Sequence, residues 1–416
     1  MKNSIDTMFN KEIGRRSFMK RVAIVAGGVV AAGPVSGFLA ACGSDEVATS
    51  AVGGSTAVAS SNTNLSGTVK VLGWGDKLND NVNDLFNKDT GGKAQFTIFT
   101  ENPEALAKIR QNKEAFDTVF IDGLWANTHW NAGTIVPIPF NEWDIYDEYF
   151  PEFANLPAWQ VPGGQMAVPH AWSADAIAYN SKFVTKPDSL AELLDPKYEG
   201  KVAIYDSFYR NLLNFVPAVT DLKVEDMHAE KTLDDGTIEQ VYDIPDDVIK
   251  QVNNLMIERR GNFKMIWKDI DEVTRALVNE DIWIAIAGNY ITQNALDAGS
   301  TDIEFVNPTA HGLMGWIDGQ CVIKNEQYEK NPDLVWEWMK HYHSGEQQAE
   351  IIGNTWLAST NRRCLEILES RSDENKERVK KLAARETGIV KEMSLLRPIA
   401  RPEAFQDAWA EFLAAG

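Results

Sequence analysis

Between Thr68 and Asp122 the chain follows one pattern: strand, helix, strand, helix, strand. This restricts the fold more than any other feature of the sequence. Thr68-Val69-Lys70-Val71-Leu72 alternates and is rich in β-branched residues, which predicts a strand ending at Gly73-Trp74-Gly75. Val82, Leu85 and Phe86 recur at helical spacing up to Asn87, and Gly91-Gly92 stops that helix. Ala94 to Phe99 reads as a second strand. Asn102-Pro103-Glu104 is a helix start, with Asn as N-cap and Pro at the first helical position. Leu106, Ile109 and Phe116 mark its apolar face. Thr118 to Ile121 reads as a third strand, ending at Asp122-Gly123. Such an order implies a parallel sheet with helices on its faces, an α/β fold. Ligands in such sheets sit beyond the carboxyl ends of the strands, where Trp74 and Asp122 fall.

The rest of the chain exceeds what one core usually holds, so two domains are expected. Val168-Pro169-His170-Ala171-Trp172 reads as a first crossing between them. A second αβ region runs from Asp175 to Glu304, with strands at Lys201 to Tyr205 and Ile282 to Ala287. The chain returns at Gly315-Trp316-Ile317-Asp318 and ends mostly helical, with Ala384, Ala404 and Trp409 on apolar faces. The boundaries expected are 67–171 and 308–356 for the first lobe, and 172–307 and 357–416 for the second.

The first 42 residues carry an export address. Gly14-Arg15-Arg16-Ser17-Phe18-Met19-Lys20 is a twin-arginine pattern. A weakly apolar run follows from Val22 to Leu39, broken by Pro34, and leads into Leu39-Ala40-Ala41-Cys42-Gly43. Read as a membrane span, that run only just reaches the roughly 17 residues a span needs. Small residues before a Cys resemble a lipoprotein processing site, so Cys42 is the expected lipidation site. From residue 43 to 66, Ser, Thr, Ala, Gly and Asn dominate, which reads as a flexible tether. The protein is therefore expected outside the cytoplasm, in the periplasm or on the outer face of the cell membrane, held by lipid at Cys42 alone.

A formal net charge of -20, from 60 acidic and 40 basic side chains, argues against a nucleic-acid partner and against adsorption on anionic lipid. Of the 13 Trp, many are expected in the core and some along a binding cleft, where large flat faces grip organic cations. Of three Cys, Cys321 and Cys364 are left after Cys42; two separate buried thiols are favoured over a disulfide between them. His341 and His343 lie two apart and read as solvated. No CxxC, HExxH or Cys/His cluster asks for a metal, and no cofactor is implied. No P-loop, GxGxxG after a strand or Gly-x-Ser-x-Gly elbow points to an enzyme.

Several segments together resemble a known family. Trp74 follows the first strand; Ala115-Phe116-Asp117-Thr118-Val119 enters the third. Val168-Pro169 through Trp172 to Tyr179-Asn180 forms the crossing. Ser189-Leu190-Ala191-Glu192-Leu193-Leu194-Asp195-Pro196-Lys197-Tyr198-Glu199-Gly200-Lys201 contains Pro-x-Tyr-x-Gly, and Trp316-Ile317-Asp318 is a Trp-x-Asp. In this order they resemble the spermidine/putrescine-binding subfamily of ABC-transporter solute-binding proteins. The resemblance implies a two-lobed type II periplasmic-binding-protein fold whose lobes close on a solute. It implies no catalytic group, a permease and ATPase as partners, and a monomer. A binding protein that reports to a sensor or chemoreceptor would use the same cleft, and stays open as an alternative.

The resemblance also implies site residues. Trp316 and Asp318 match the family's main Trp and Asp, and Trp74 its first-lobe Trp. Asp122 takes the place of a small hydroxyl residue, with Trp125 close by; Trp172 lies on the crossing. Asp206 falls on the acidic segment after the strand at Lys201. Two departures matter. The family's Glu beyond that acidic position is Arg210 here, and its second-lobe Trp is Gly288, before Asn289 and Tyr290. An Arg fork suits a carboxylate or sulfonate. The ligand expected is thus a small amine, either a polyamine or a zwitterion whose amine meets Asp318 and Trp316 and whose acid group meets Arg210. Against this, Arg210 could pair with Asp206 four residues before it, and Trp125, Trp172 and Tyr290 could be core.

Overall fold

The computed structural model describes residues 65–232 and 238–416. The export signal, Cys42 and the tether up to residue 64 lie outside the described residues.

The first strand, β1 (Thr68–Gly73), forms because its alternate residues feed two cores. Val69 and Val71 pack with Phe86 and Trp338 on one side, and Leu72 packs with Ile109 on the other. Helix α1 (Asp80–Thr90) is capped by the Asn79 side chain, which accepts from the Val82 amide, and ends at Gly91 in the left-handed conformation. Strand β2 (Lys93–Ile98) runs parallel to β1. Helix α2 (Asn102–Gln111) starts one residue earlier than its sequence suggests. Glu101 is the N-cap, and Asn102 brackets Asp122 instead. Its amide nitrogen donates to Asp122 Oδ2 at 3.1 Å, and its Oδ1 accepts from the Asp122 amide at 3.2 Å. Strand β3 (Thr118–Asp122) lies parallel to β1 on its other side, and α3 (Trp125–Asn131) follows.

The chain crosses over through β4 (Val168–Ala174), every residue of which is buried, into β5 (Ile177–Asn180). Next come β6 (Val202–Tyr205), α4 (Arg210–Val219), α5 (Asp246–Glu258), β7 (Phe263–Trp267), β8 (Ile284–Ile286) and β9 (Ile303–Val306). These strands make a five-stranded sheet in the order β7-β6-β8-β5-β9. The chain returns in β10 (Leu313–Ile323), antiparallel to both β3 and β4. The first sheet has eight strands; its main path runs Ala358–Ser359, β4, β10, β3, β1, β2. The two crossing strands, β4 and β10, thus lie side by side.

The C-terminal segment corrects one expectation. Residues 357–416 do not all join the second lobe. Helices α6 (Arg362–Arg371) and α7 (Asp373–Lys381) place Cys364, Leu365, Leu368 and Val379 in one core with Ile121 and Ile317 of the first sheet. The helix Gly345–Thr355 packs against α6, and α6 against α7. Leu396 and α8 (Pro402–Ala414) join the second core, where α8 packs its Phe405, Trp409 and Phe412 with Ile249 and Met256 of α5. Cys321 and Cys364 are both free and buried. His343 is buried rather than solvated, because the last turn of its helix enters the core; its Nε2 lies 2.9 Å from Gln320 Oε1.

Candidate ligand-binding cleft

The carboxyl ends of β1 and β3, the middle of β10, and the carboxyl ends of β6, β7 and β8 meet around a cavity of about 300 Å³. Trp74, Asp122, Arg210, Tyr290, Trp316 and Asp318 all line it. Trp74 is held by its indole N–H, which donates to the Thr100 carbonyl at 3.1 Å, and by Phe99 at 4.6 Å between ring centroids. Trp316 and Asp318 are two apart on β10. Asp318 faces Asp122 across the β3–β10 pairing. Trp316 packs against the cores of both lobes.

Asp318 already has a cation. The short turn Gly75–Lys77 after Trp74 buries Lys77, with its Nζ 2.5 Å from Asp318 and 2.9 Å from Asp76. The Tyr342 hydroxyl donates to the Lys77 carbonyl at 2.7 Å and fixes the turn. Burial alone would lower the Lys77 pKa, but the Asp318 and Asp76 carboxylates outweigh it and hold the value above the ordinary lysine range.

Arg210 does not pair with Asp206. Its guanidinium meets Asp175, between β4 and β5, through one terminal nitrogen. Asn214 donates to the other Asp175 oxygen at 2.8 Å. The guanidinium also lies 5.3 Å from the centre of the Tyr205 ring. Helix α4 begins only at Arg210, so Asp206 precedes it and the neighbour rule for helix faces does not apply. Asp206 takes Lys268 instead, at 2.8 Å. Glu101 comes within electrostatic reach: burial pushes its carboxyl up, Arg210 pulls it back and Asp206 adds to the push.

Trp125, Trp172, Asp206 and Asn289 do not line the cavity. Trp172 is core, 5.7 Å from Phe153. Trp125 is buried at the start of α3. The Asn289 amide donates to the Leu382 carbonyl at 2.9 Å and its oxygen accepts from Ser173 at 3.3 Å, so it ties elements together. Gly288 has its own reason: the Tyr290 ring occupies the space a side chain there would need. Tyr290 therefore supplies an aromatic ring beside a position too crowded for one.

The cavity has lining residues that the sequence reading missed: Lys77, Asp76, Asp175, Tyr205 and Trp267. Tyr205 and Trp267 end β6 and β7, so the carboxyl-end rule that marks Trp74 would have found both. Trp267 is held by its N–H to the Ile286 carbonyl at 3.1 Å. Among the described residues no group of His, Cys, Asp and Glu side chains is arranged to hold a metal ion. No helix of the described residues is long and apolar enough to cross a membrane.

Two crossing strands, two sheets and a polar, aromatic cleft between them define a solute-binding protein. The chain belongs to the bacterial extracellular solute-binding protein family, which matches residues 81–376. It is 21% identical over 328 residues to the putrescine-binding periplasmic protein PotF of Escherichia coli, covering 74% of this chain and 82% of the relative. It is 27% identical over 314 residues to the spermidine/putrescine-binding periplasmic protein of Salmonella typhimurium, covering 73% and 80%. Among solved structures, a putative spermidine/putrescine ABC transporter from Listeria monocytogenes superposes with a TM-score of 0.65 at 17% identity, covering 84% of this chain and 99% of that one. The spermidine/putrescine substrate-binding protein PotD of Streptococcus pneumoniae gives 0.63 at 16%, with coverage of 84% and 99%. The fold is that of the two-lobed periplasmic binding proteins.

Proposed function

We propose that this protein captures a small zwitterionic amine between its lobes and delivers it to an ABC permease and its ATPase. The observation that carries this reading is the mixture of charges in an aromatic cleft: Asp122 on one wall and Arg210 on the other, among Trp74, Tyr205, Trp267, Tyr290 and Trp316. A carboxylate gives an ammonium charge-assisted hydrogen bonds, and an indole face adds cation–π attraction. Asp318 is held by Lys77, so the amine goes to Asp122 beside Trp316 and not to Asp318. The solute's acid group goes to the Arg210 fork, of which Asp175 engages one terminal nitrogen. Amino acids, ω-amino acids, betaines and taurine-like compounds all fit. Relatives named for putrescine and spermidine support an amine ligand. The protein works as a monomer outside the cytoplasm, exported by its twin-arginine signal and anchored through Cys42.

The test is a melting-temperature screen of a soluble form beginning near Leu65. The panel holds putrescine, spermidine, γ-aminobutyrate, glycine betaine, taurine and the common amino acids. A ligand at about 100 times its Kd adds roughly 2.7 kcal/mol. A shift with a zwitterion that disappears in Arg210→Ala is the expected result. A shift with polyamines alone would overturn the zwitterion assignment.

A further inference from the structure

We infer that Lys77 is a resident cation that limits the solute to one ammonium group, because it holds the carboxylates a second ammonium would need. The inference rests on the zwitterion reading and narrows it, from any small amine to a monoamine.

The argument is a census of the cleft's carboxylates. Four line the cavity: Asp76, Asp122, Asp175 and Asp318. Asp76 and Asp318 both meet Lys77. Asp175 meets Arg210 and Asn214. At the rim, Asp206 meets Lys268. Asp122 alone among the four lining carboxylates has no cationic partner; its side chain accepts from the neutral Asn102 amide and faces the Asp318 carboxyl. One carboxylate without a cation suits one ammonium.

Lys77 is not a side chain that steps aside. It is 1% exposed, its carbonyl is bonded to Tyr342, and its ammonium lies 5.8 Å from the centre of the Trp74 ring. A diamine's second ammonium would have to pull a carboxylate from Lys77 or Arg210, or lie in the cleft without a partner. Each course leaves an uncompensated charge in a partly dehydrated space. Without Lys77, Asp76, Asp122 and Asp318 would share one wall with no cation among them.

The test is calorimetric titration of putrescine and γ-aminobutyrate into the wild type, Lys77→Met and the double variant Lys77→Met/Asp318→Asn. Lys77→Met is expected to gain affinity for putrescine by about tenfold or more, an easily measured change in Kd. The double variant removes the cation together with its carboxylate, and is expected to show no such gain. Lys77→Gln, which keeps a hydrogen-bonding head, replaces Lys77→Met if the latter does not fold. Wild-type binding of putrescine as tight as that of any zwitterion overturns the inference whether or not the variants fold. So does a folded Lys77→Met or Lys77→Gln protein with no gain. If no zwitterion binds the wild type yet removal of Lys77 creates a putrescine site, the zwitterion reading fails and the role of Lys77 stands.

Discussion

Each lobe brings one ion pair to the cleft, and the two pairs are built differently. In the first lobe, Lys77 and Asp318 expose 1% and 7% of their side chains. In the pair that links the second lobe to the crossing, Asp175 is similarly buried at 4% but Arg210 exposes 21%. The sealed pair has no room to exchange partners. The open pair leaves most of the guanidinium fork on the cavity wall. The difference teaches where an incoming group can be recognised: at the cation that water already reaches. The cores differ as well. The first lobe packs Trp159, Trp338, Phe120 and Tyr342 around its sheet, with His129, His170 and His343 buried among them. The second packs aliphatic strands, with Ile177, Val202, Ile204 and Ile284 at its centre.

The largest effect should come from breaking the sealed pair. Asp318→Ala leaves Lys77 buried with only the exposed Asp76 as partner, and removing one member of a buried pair costs about 3–5 kcal/mol. Asp175→Ala should cost well under half of that, because Arg210 can turn to water. Urea midpoints measure both, and equal losses would erase the distinction between the pairs.

Acid should separate the lobes next. Burial holds His343 at a pKa of about 3 and His129 at about 4. Both values lie below the unfolded value near 6.5, so the unfolded chain binds more protons through the window between. Stability is therefore complete above pH 6.5 and is lost as pH falls through the window. Going from pH 7 to pH 5 should cost roughly 2 kcal/mol for each such imidazole. Urea unfolding of His343→Gln should show a fall between these pH values smaller by that amount; an unchanged fall would mean that the imidazole takes up its proton without cost.

A methylene removed from the aliphatic sheet tests the other side. Ile284→Val should cost about 1 kcal/mol, read as a small drop in melting temperature. The smallest effect belongs to Asp206→Asn. Its partner Lys268 exposes 78% of its side chain, so water and salt screen the pair and its loss should be barely measurable. Solute affinity should not change, since Asp206 lies off the cavity wall.

The frame of the first lobe was legible because its signals are local. Alternation in Thr68 to Leu72 and the β-branched run at Thr118 to Ile121 need only neighbouring residues to be read, and both strands form there. Trp74 and Asp122 reached the cleft because strand ends place them, whereas Trp316 and Asp318 lie in the middle of β10 and stood out only as a Trp-x-Asp motif. The partners were not legible. Lys77 meets Asp318 only after β10 returns beside β3, and Asp175 meets Arg210 only after β4 crosses over. No spacing rule links residues so far apart in the chain. Asp206 misled because four-residue spacing was read as helix, whereas α4 starts at Arg210. Trp125 and Trp172 misled because an indole suits a core as well as a cleft, and only packing tells which.

Lys77 has a bearing on the medium in which the protein works. Salt screens charges that water surrounds, over about 8 Å at physiological ionic strength, and leaves enclosed ones largely alone. A family that operates outside the cytoplasm meets whatever brine or fresh water the cell lives in. With its inner charges settled by a residue of its own, the floor of this cleft keeps one electrical character across those surroundings. The partly exposed Arg210 and Asp122 are left to feel the change.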